Sequence, residues 1–175
     1  KERKGQVRLP QGVVIGQNLY SLFSNLTIGY QGSMDFNDFP IPFACVAADT
    51  RTASEVVLRE GSLPEAIRAS MAIPGMFAPV EKDSMLLIDG GIINNYPVDV
   101  VRDMGADIVI GVRMPDDQKK IEKERGTLSE VMSQLLDFTG QDKLKQNIAN
   151  THILITPNIY PYGTLDFESP GIDTI

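Results

Sequence analysis

Residues 85–101 read MLLIDGGIINNYPVDVV. Four apolar residues, Met85 to Ile88, carry a carboxylate, Asp89, to the end of an apparent strand, and Gly90 and Gly91 follow with no side chain to shield it. A carboxylate held rigidly at a strand end can serve as a general base for a hydroxyl that comes within about 2.6–3.2 Å. The same residues allow a purely structural reading. Asp89 would then cap the turn or pair with a cation, the glycines would supply positive φ, and Asn94 and Asn95 would cap the helix that Pro97 starts. An anion cradle at a helix N-terminus needs a longer glycine-rich loop than these two residues provide. Spacing alone leaves the catalytic and structural readings open.

The other reactive residue types are sparse. One histidine, His152, precedes the apolar ILIT and reads as an edge residue; a single histidine supports no His-rich metal site. One cysteine, Cys45, lies in PFACVAA, reads as core packing and permits no internal disulfide. Ser70 is a candidate nucleophile, yet it has neither the flanking glycines nor the preceding strand of a nucleophile turn. No metal or organic cofactor is implied. A net charge of −7 argues against a nucleic-acid binder, which carries a basic patch. No apolar run is long enough to span a bilayer, and the charged KERKGQVRLPQG is not a signal peptide as it stands.

The elements that must position these residues read as one α/β domain over 175 residues. Leu19, Leu22, Phe23 and Leu26 have helical spacing, and IPFACVAADT suits a buried strand. EVVLRE reads as a short strand paired after the TRTAS turn. Ser62, Pro64 and Glu65 predict a capped helix start, with Ile67, Ser70, Met71 and Ala72 facing inward and Pro74–Gly75 ending the helix. The strand MLLID, a helix over about 97–104 closed by Gly105, and the strand ADIVIGVRM predict a right-handed βαβ unit, hence a mostly parallel sheet covered by helices. Residues 115–126 read as a solvated charged segment, 127–138 and 141–152 as amphipathic helices, HILITPNI as a last strand, and the tail as turn-rich.

Three stretches, SLPEAIRASMAIPGMFAPV, LLIDGGIINNYPVDVV and MGADIVIGV, together resemble the patatin-like phospholipase family. DFPIPFACVAADT and VVLREGS match that family in the same order, so the resemblance covers about residues 12–115. It implies lipid acyl hydrolysis, a phospholipase or carboxylic ester hydrolase activity, by a Ser–Asp dyad. Asp89 would be the base and Gly90–Gly91 the rest of the Asp-Gly-Gly motif. A serine is a weak nucleophile until a base takes its proton, and no histidine lies near a motif to do so. The resemblance also implies that the helix exit containing Pro74, Met76 and Phe77 walls an acyl pocket.

The family's glycine-rich oxyanion loop and its Gly-x-Ser-x-Gly elbow are not found: no serine here has glycine two positions away on both sides. The expectation is a partial domain over 1–175, lacking its N-terminal strands and its nucleophile, inactive alone, and needing the missing segment or an assembly partner to complete the sheet. The alternative is a catalytically incomplete module kept for binding, although the intact Asp89, Gly90 and Gly91 favour the enzyme. Expected partners are a lipid or ester substrate and a membrane surface, with no nucleic acid. Some bacterial members of the family carry a membrane barrel after the hydrolase domain, and PYGTLDFESPGIDTI would suit the start of such an extension. An envelope or secreted location is then one reading, with the cytoplasm left open.

Overall fold

A computed structural model describes residues 17–114 and 140–158. The expectations for the N-terminal dozen residues, the charged segment 115–126, the helix over 127–138 and the turn-rich tail lie outside the described residues.

Helix α1 spans Gln17–Leu26, and a two-residue strand β1 (Met34–Asp35) leads into a 3-10 turn, Phe36–Asp38. Strands β2 (Cys45–Asp49) and β3 (Ser54–Leu58) follow, then a short β4 (Glu60–Gly61) that pairs with β1. Helix α2 (Leu63–Ser70) precedes a hairpin of β5 (Val80–Lys82) and β6 (Met85–Asp89). After β6 come the single turn α3 (Gly91–Asn94), α4 (Val98–Asp103) and β7 (Ile110–Val112). Helix α5 covers 140–149, and β8 (Ile153–Ile155) completes the described chain.

The central sheet has the order β3-β2-β6-β5, and every pairing in it is antiparallel. The expectation of a mostly parallel sheet is therefore corrected, although helices do cover a sheet. Two local hairpins account for the difference. β2 and β3 join through residues 50–53, and β5 and β6 through Asp83–Ser84, both at positive φ (47° and 65°), the geometry of a tight mirror-image turn. Hairpins force antiparallel neighbours. The βαβ unit expected from 85–114 also fails, because β7 pairs in parallel with β8 in a separate two-stranded sheet and not with β6. The parallel crossover lies one step later in the chain, through α5.

The main core joins Phe36, Cys45, Ala47, Leu58, Leu63, Ala66, Ala69 and Leu87, so β2 and β6 are packed beneath α2. A smaller cluster of Tyr96, Val98 and Val109 with Leu144 and Ile148 ties α4 and α5 to β7. In this cluster a β-carbon on Gly111 would overlap the Tyr96 hydroxyl, which explains the glycine within a strand. Ser62 occupies the N-cap of α2, but its hydroxyl makes no cap bond and is buried without a partner; Glu65 instead meets Lys82 at 3.5 Å. The buried residues of α2 are Leu63, Pro64, Ala66, Arg68 and Ala69; of the expected inner residues, Ala72 is buried, Ile67 packs against the core and Ser70 bonds β2. Arg68 reaches the Ala78 carbonyl at 2.7 Å and sits over the Phe77 ring at 5.4 Å, which fastens the helix exit to α2.

At one end of the β2–β6 ladder, Asp49 pairs with Leu87. Its carboxylate accepts from the Leu86 amide (3.0 Å), the Arg51 amide (3.1 Å) and the Thr52 hydroxyl (2.8 Å). The Leu86 amide foremost, then the other two donors and the Arg51 charge, hold its pKa below the ordinary value against the opposing effect of burial.

Candidate active site

Asp89 stands at the other end of the same ladder, opposite Ala47. Its amide donates to the Ala72 carbonyl at 3.1 Å, so both β2 and the α2 exit fix its backbone. Its Oδ1 accepts the Gly91 amide at 2.7 Å. Burial pushes the Asp89 pKa up, and the Gly91 amide only partly opposes this.

The two glycines have separate steric reasons, and neither is positive φ, since Gly90 has φ −70° at the N-cap of α3. A β-carbon on Gly90 would overlap the Val46 carbonyl and come within 2.8 Å of the Ala47 nitrogen. The chain thus turns out of β6 in van der Waals contact with the backbone of β2. A β-carbon on Gly91 would lie 3.0 Å from Asp89 Oδ1 and 2.8 Å from Asn95 Oδ1. Gly90 lets the backbone pass, and Gly91 leaves room for the carboxylate.

Asp89 opens onto a cavity of about 760 Å³. Ser70, Gly91, Asn94 and Asn95 form part of its wall, and Phe43, Val100, Val101 and Met104 give it an apolar side. The other titratable side chain in that wall is Cys45, whose thiol is pushed up to about 12 by burial and stays neutral. Ser70 Oγ donates to the Val46 carbonyl at 2.7 Å, which occupies its proton in a bond away from the aspartate. Pro74, Met76 and Phe77 are not in the wall; Phe77 faces Arg68 instead. His152 is not in the cavity wall: its Nδ1 accepts the Val109 amide at 3.1 Å, and Arg102 lies beside the ring.

One feature was missed in the sequence, a polar cluster behind α3. Asn94, only 5% exposed, donates to Glu55 Oε1 and to Asp99 Oδ1, each at 2.9 Å. Asn147 donates to Asp99 Oδ1 (3.0 Å) and to the Tyr96 carbonyl (2.8 Å), and Lys143 bridges Glu55 and Asp99 Oδ2. Burial alone would raise the Asp99 pKa, but Asn94, Lys143 and Asn147 together hold it low. The available signal was weak: Lys143 and Asn147 are four apart on one helix face, and Asn94 and Asp99 flank a proline.

The site therefore joins a partly buried strand-end carboxylate, a cavity and two glycines that each have a steric reason. The patatin-like phospholipase family model matches residues 2–102, and the chain belongs to that family. An uncharacterized NTE family protein of Mycobacterium tuberculosis is 41% identical over 83 residues, covering 47% of this chain and 23% of that protein. A second from the same organism is 40% identical over 76 residues, 43% of this chain and 13% of that one. Patatin-like phospholipase domain-containing protein 7 of Mus musculus is 42% identical over 77 residues, 43% of this chain and 6% of that one. The chain thus spans less than a quarter of the length of each of these curated relatives, which come from both bacteria and mammals.

Proposed function

We propose that this chain supplies the base of a serine acyl hydrolase acting on a lipid or other carboxylic ester. The observation that carries the reading is Asp89 itself: a partly buried carboxylate, oriented by one amide, facing a cavity with an apolar side. In the first half-reaction the serine hydroxyl gives its proton to Asp89 as its oxygen bonds to the ester carbonyl carbon. The alcohol then leaves with that proton, and an acyl-enzyme remains. In the second half Asp89 takes a proton from water, water attacks the acyl carbon, and the serine is regenerated. Burial suits the role, since a base with a raised pKa accepts a proton more readily.

This reading takes its serine from outside the 175 residues, since no serine here stands in a Gly-x-Ser-x-Gly elbow; the chain also shows apolar surface open to a partner. Ile110, Val112 and Ile153 on the β7–β8 pair are 61%, 57% and 50% exposed, and such strands invite a partner.

A serine-directed phosphonate, read by intact mass, tests the proposal on the 19.2 kDa chain and on a longer chain from the same gene. One adduct on the longer chain, lost in Asp89→Asn, and none on the short chain is the expected result. An adduct on Ser70 in the short chain would move the nucleophile here and overturn the assignment. No adduct on either would leave a binding module with the family fold.

A further inference from the structure

The turn that presents Gly91 to Asp89 is gripped at both ends. At its start, Gly90 lies against the β2 backbone, so the chain cannot move towards the sheet. At its end, Asn94 spends both amide hydrogens on carboxylates from two different elements, Glu55 on β3 and Asp99 on α4. Its Oδ1 accepts from Asn147 at 3.2 Å, so the side chain is bonded at both polar atoms. Rotation of α3 would therefore break bonds to β3, α4 and α5 together. The Ile93 and Asn94 amides both donate to the Gly90 carbonyl at 2.9 Å, which makes the turn a single rigid unit from Gly90 to Asn94.

Lys143 is what lets this cluster exist. Without its ammonium, Glu55 and Asp99 would be two partly buried carboxylates sharing one amide group, an arrangement that drives one of them to protonate or withdraw. Apolar residues could fill this space with equal or greater stability, but they would fix no orientation.

We propose that Lys143, acting through Glu55, Asp99, Asn94 and Asn147, is a positioning residue that holds the α3 turn so that the Gly91 amide stays on Asp89. Its consequence for turnover rests on the reading of Asp89 as the base; its consequence for Asp89 itself does not.

The test is Lys143→Met in the longer chain from the same gene, with two readouts: the carboxyl-carbon NMR titration of Asp89, and kcat and KM on a carboxylic ester. With the amide loosened, the Asp89 midpoint is expected to rise by about one pH unit, the size of a lost bond to a charged group. kcat is expected to fall by up to about 100-fold with KM little changed, as for a misplaced reacting group. An unmoved Asp89 titration in a folded Lys143→Met protein overturns the proposal. If that variant does not fold, Glu55→Gln removes one partner of Lys143 while keeping an acceptor for Asn94. A smaller rise then supports the proposal, and none overturns it. Should Asp89→Asn retain full turnover, the catalytic reading falls while the titration still decides the positioning role.

Discussion

The Gly91 amide donates to Asp89 Oδ1 at 2.7 Å, and a β-carbon on Gly91 would lie 3.0 Å from that same oxygen. One residue thus orients the carboxylate and leaves it room. In Gly91→Ala the atoms that must give are the ends of two side chains, Asp89 and Asn95, so the fold tolerates the change while the carboxylate is displaced. The expected outcome is a fall in kcat of about 10–100-fold, with a melting temperature close to the parent's. Steady-state kinetics beside a thermal melt would separate the two.

Gly90→Ala differs in kind. The obstacle there is the Val46 carbonyl and the Ala47 nitrogen, the backbone of a strand paired on both sides. The loss of stability should be about 3 kcal/mol, at the upper end for overpacking a core. Urea denaturation would measure it, and a loss under about 1 kcal/mol would mean that β2 can shift.

Asp89 has its pKa raised above the ordinary 3.8 by burial. The folded state therefore binds a proton more tightly than the unfolded chain. Stability from this group is greatest at low pH and falls as pH climbs from near 3.8 to the raised value, because the folded state releases its proton later. Asp89→Asn should remove that decline, seen as a flatter pH dependence of the denaturation midpoint. Under the proposed function, turnover runs the opposite way, rising with pH through the raised value as the base ionises.

Cys45 tests the integrity of the same cavity. With its thiol pushed up to about 12, it should react with iodoacetamide at pH 8 about 1,000-fold more slowly in the folded chain than in urea. Mass spectrometry after timed quenching would give both rates. Comparable rates would mean that the β2 end of the cavity opens to solvent.

The apolar β7–β8 pair predicts self-association of the isolated 175-residue chain. Sedimentation velocity should show oligomers at micromolar concentration, and Ile110→Lys with Ile153→Lys should return the chain towards monomer. A parent chain that sediments as monomer would show the pair to be harmless.

Much of the local structure was legible. The apolar run ending in Asp89, the helix from about 97 closed by Gly105, and the buried strand through Cys45 are where hydrophobic pattern and turn chemistry put them. Sheet direction was not legible. The β5–β6 turn is Asp83–Ser84, without the glycine that marks such turns, so MLLID read as the start of a crossover and not as the second arm of a hairpin. Pairing of β7 with β8 depends on residues more than 40 positions apart, which no local pattern encodes. The site divides similarly. Asp89 and its glycines stood out as a motif, but the reason for each glycine lies in Val46 and Asn95, and the cluster behind Asn94 joins four elements. The α2 face was legible only in part: Ala72 is buried and Ile67 packs against the core, but Arg68, a charged residue, is also buried, over Phe77.

Asp49 and Asp89 close the two ends of the β2–β6 ladder, two rungs apart, about 7 Å along the strands. Three donors hold the pKa of the first below its ordinary value, while burial raises that of the second, so the second gives up its charge earlier on acidification. The two ends of the ladder therefore discharge in a fixed order. On acidification the cavity end loses its charge first, and the sheet becomes polarised along the strand direction with its remaining negative charge at the hairpin end.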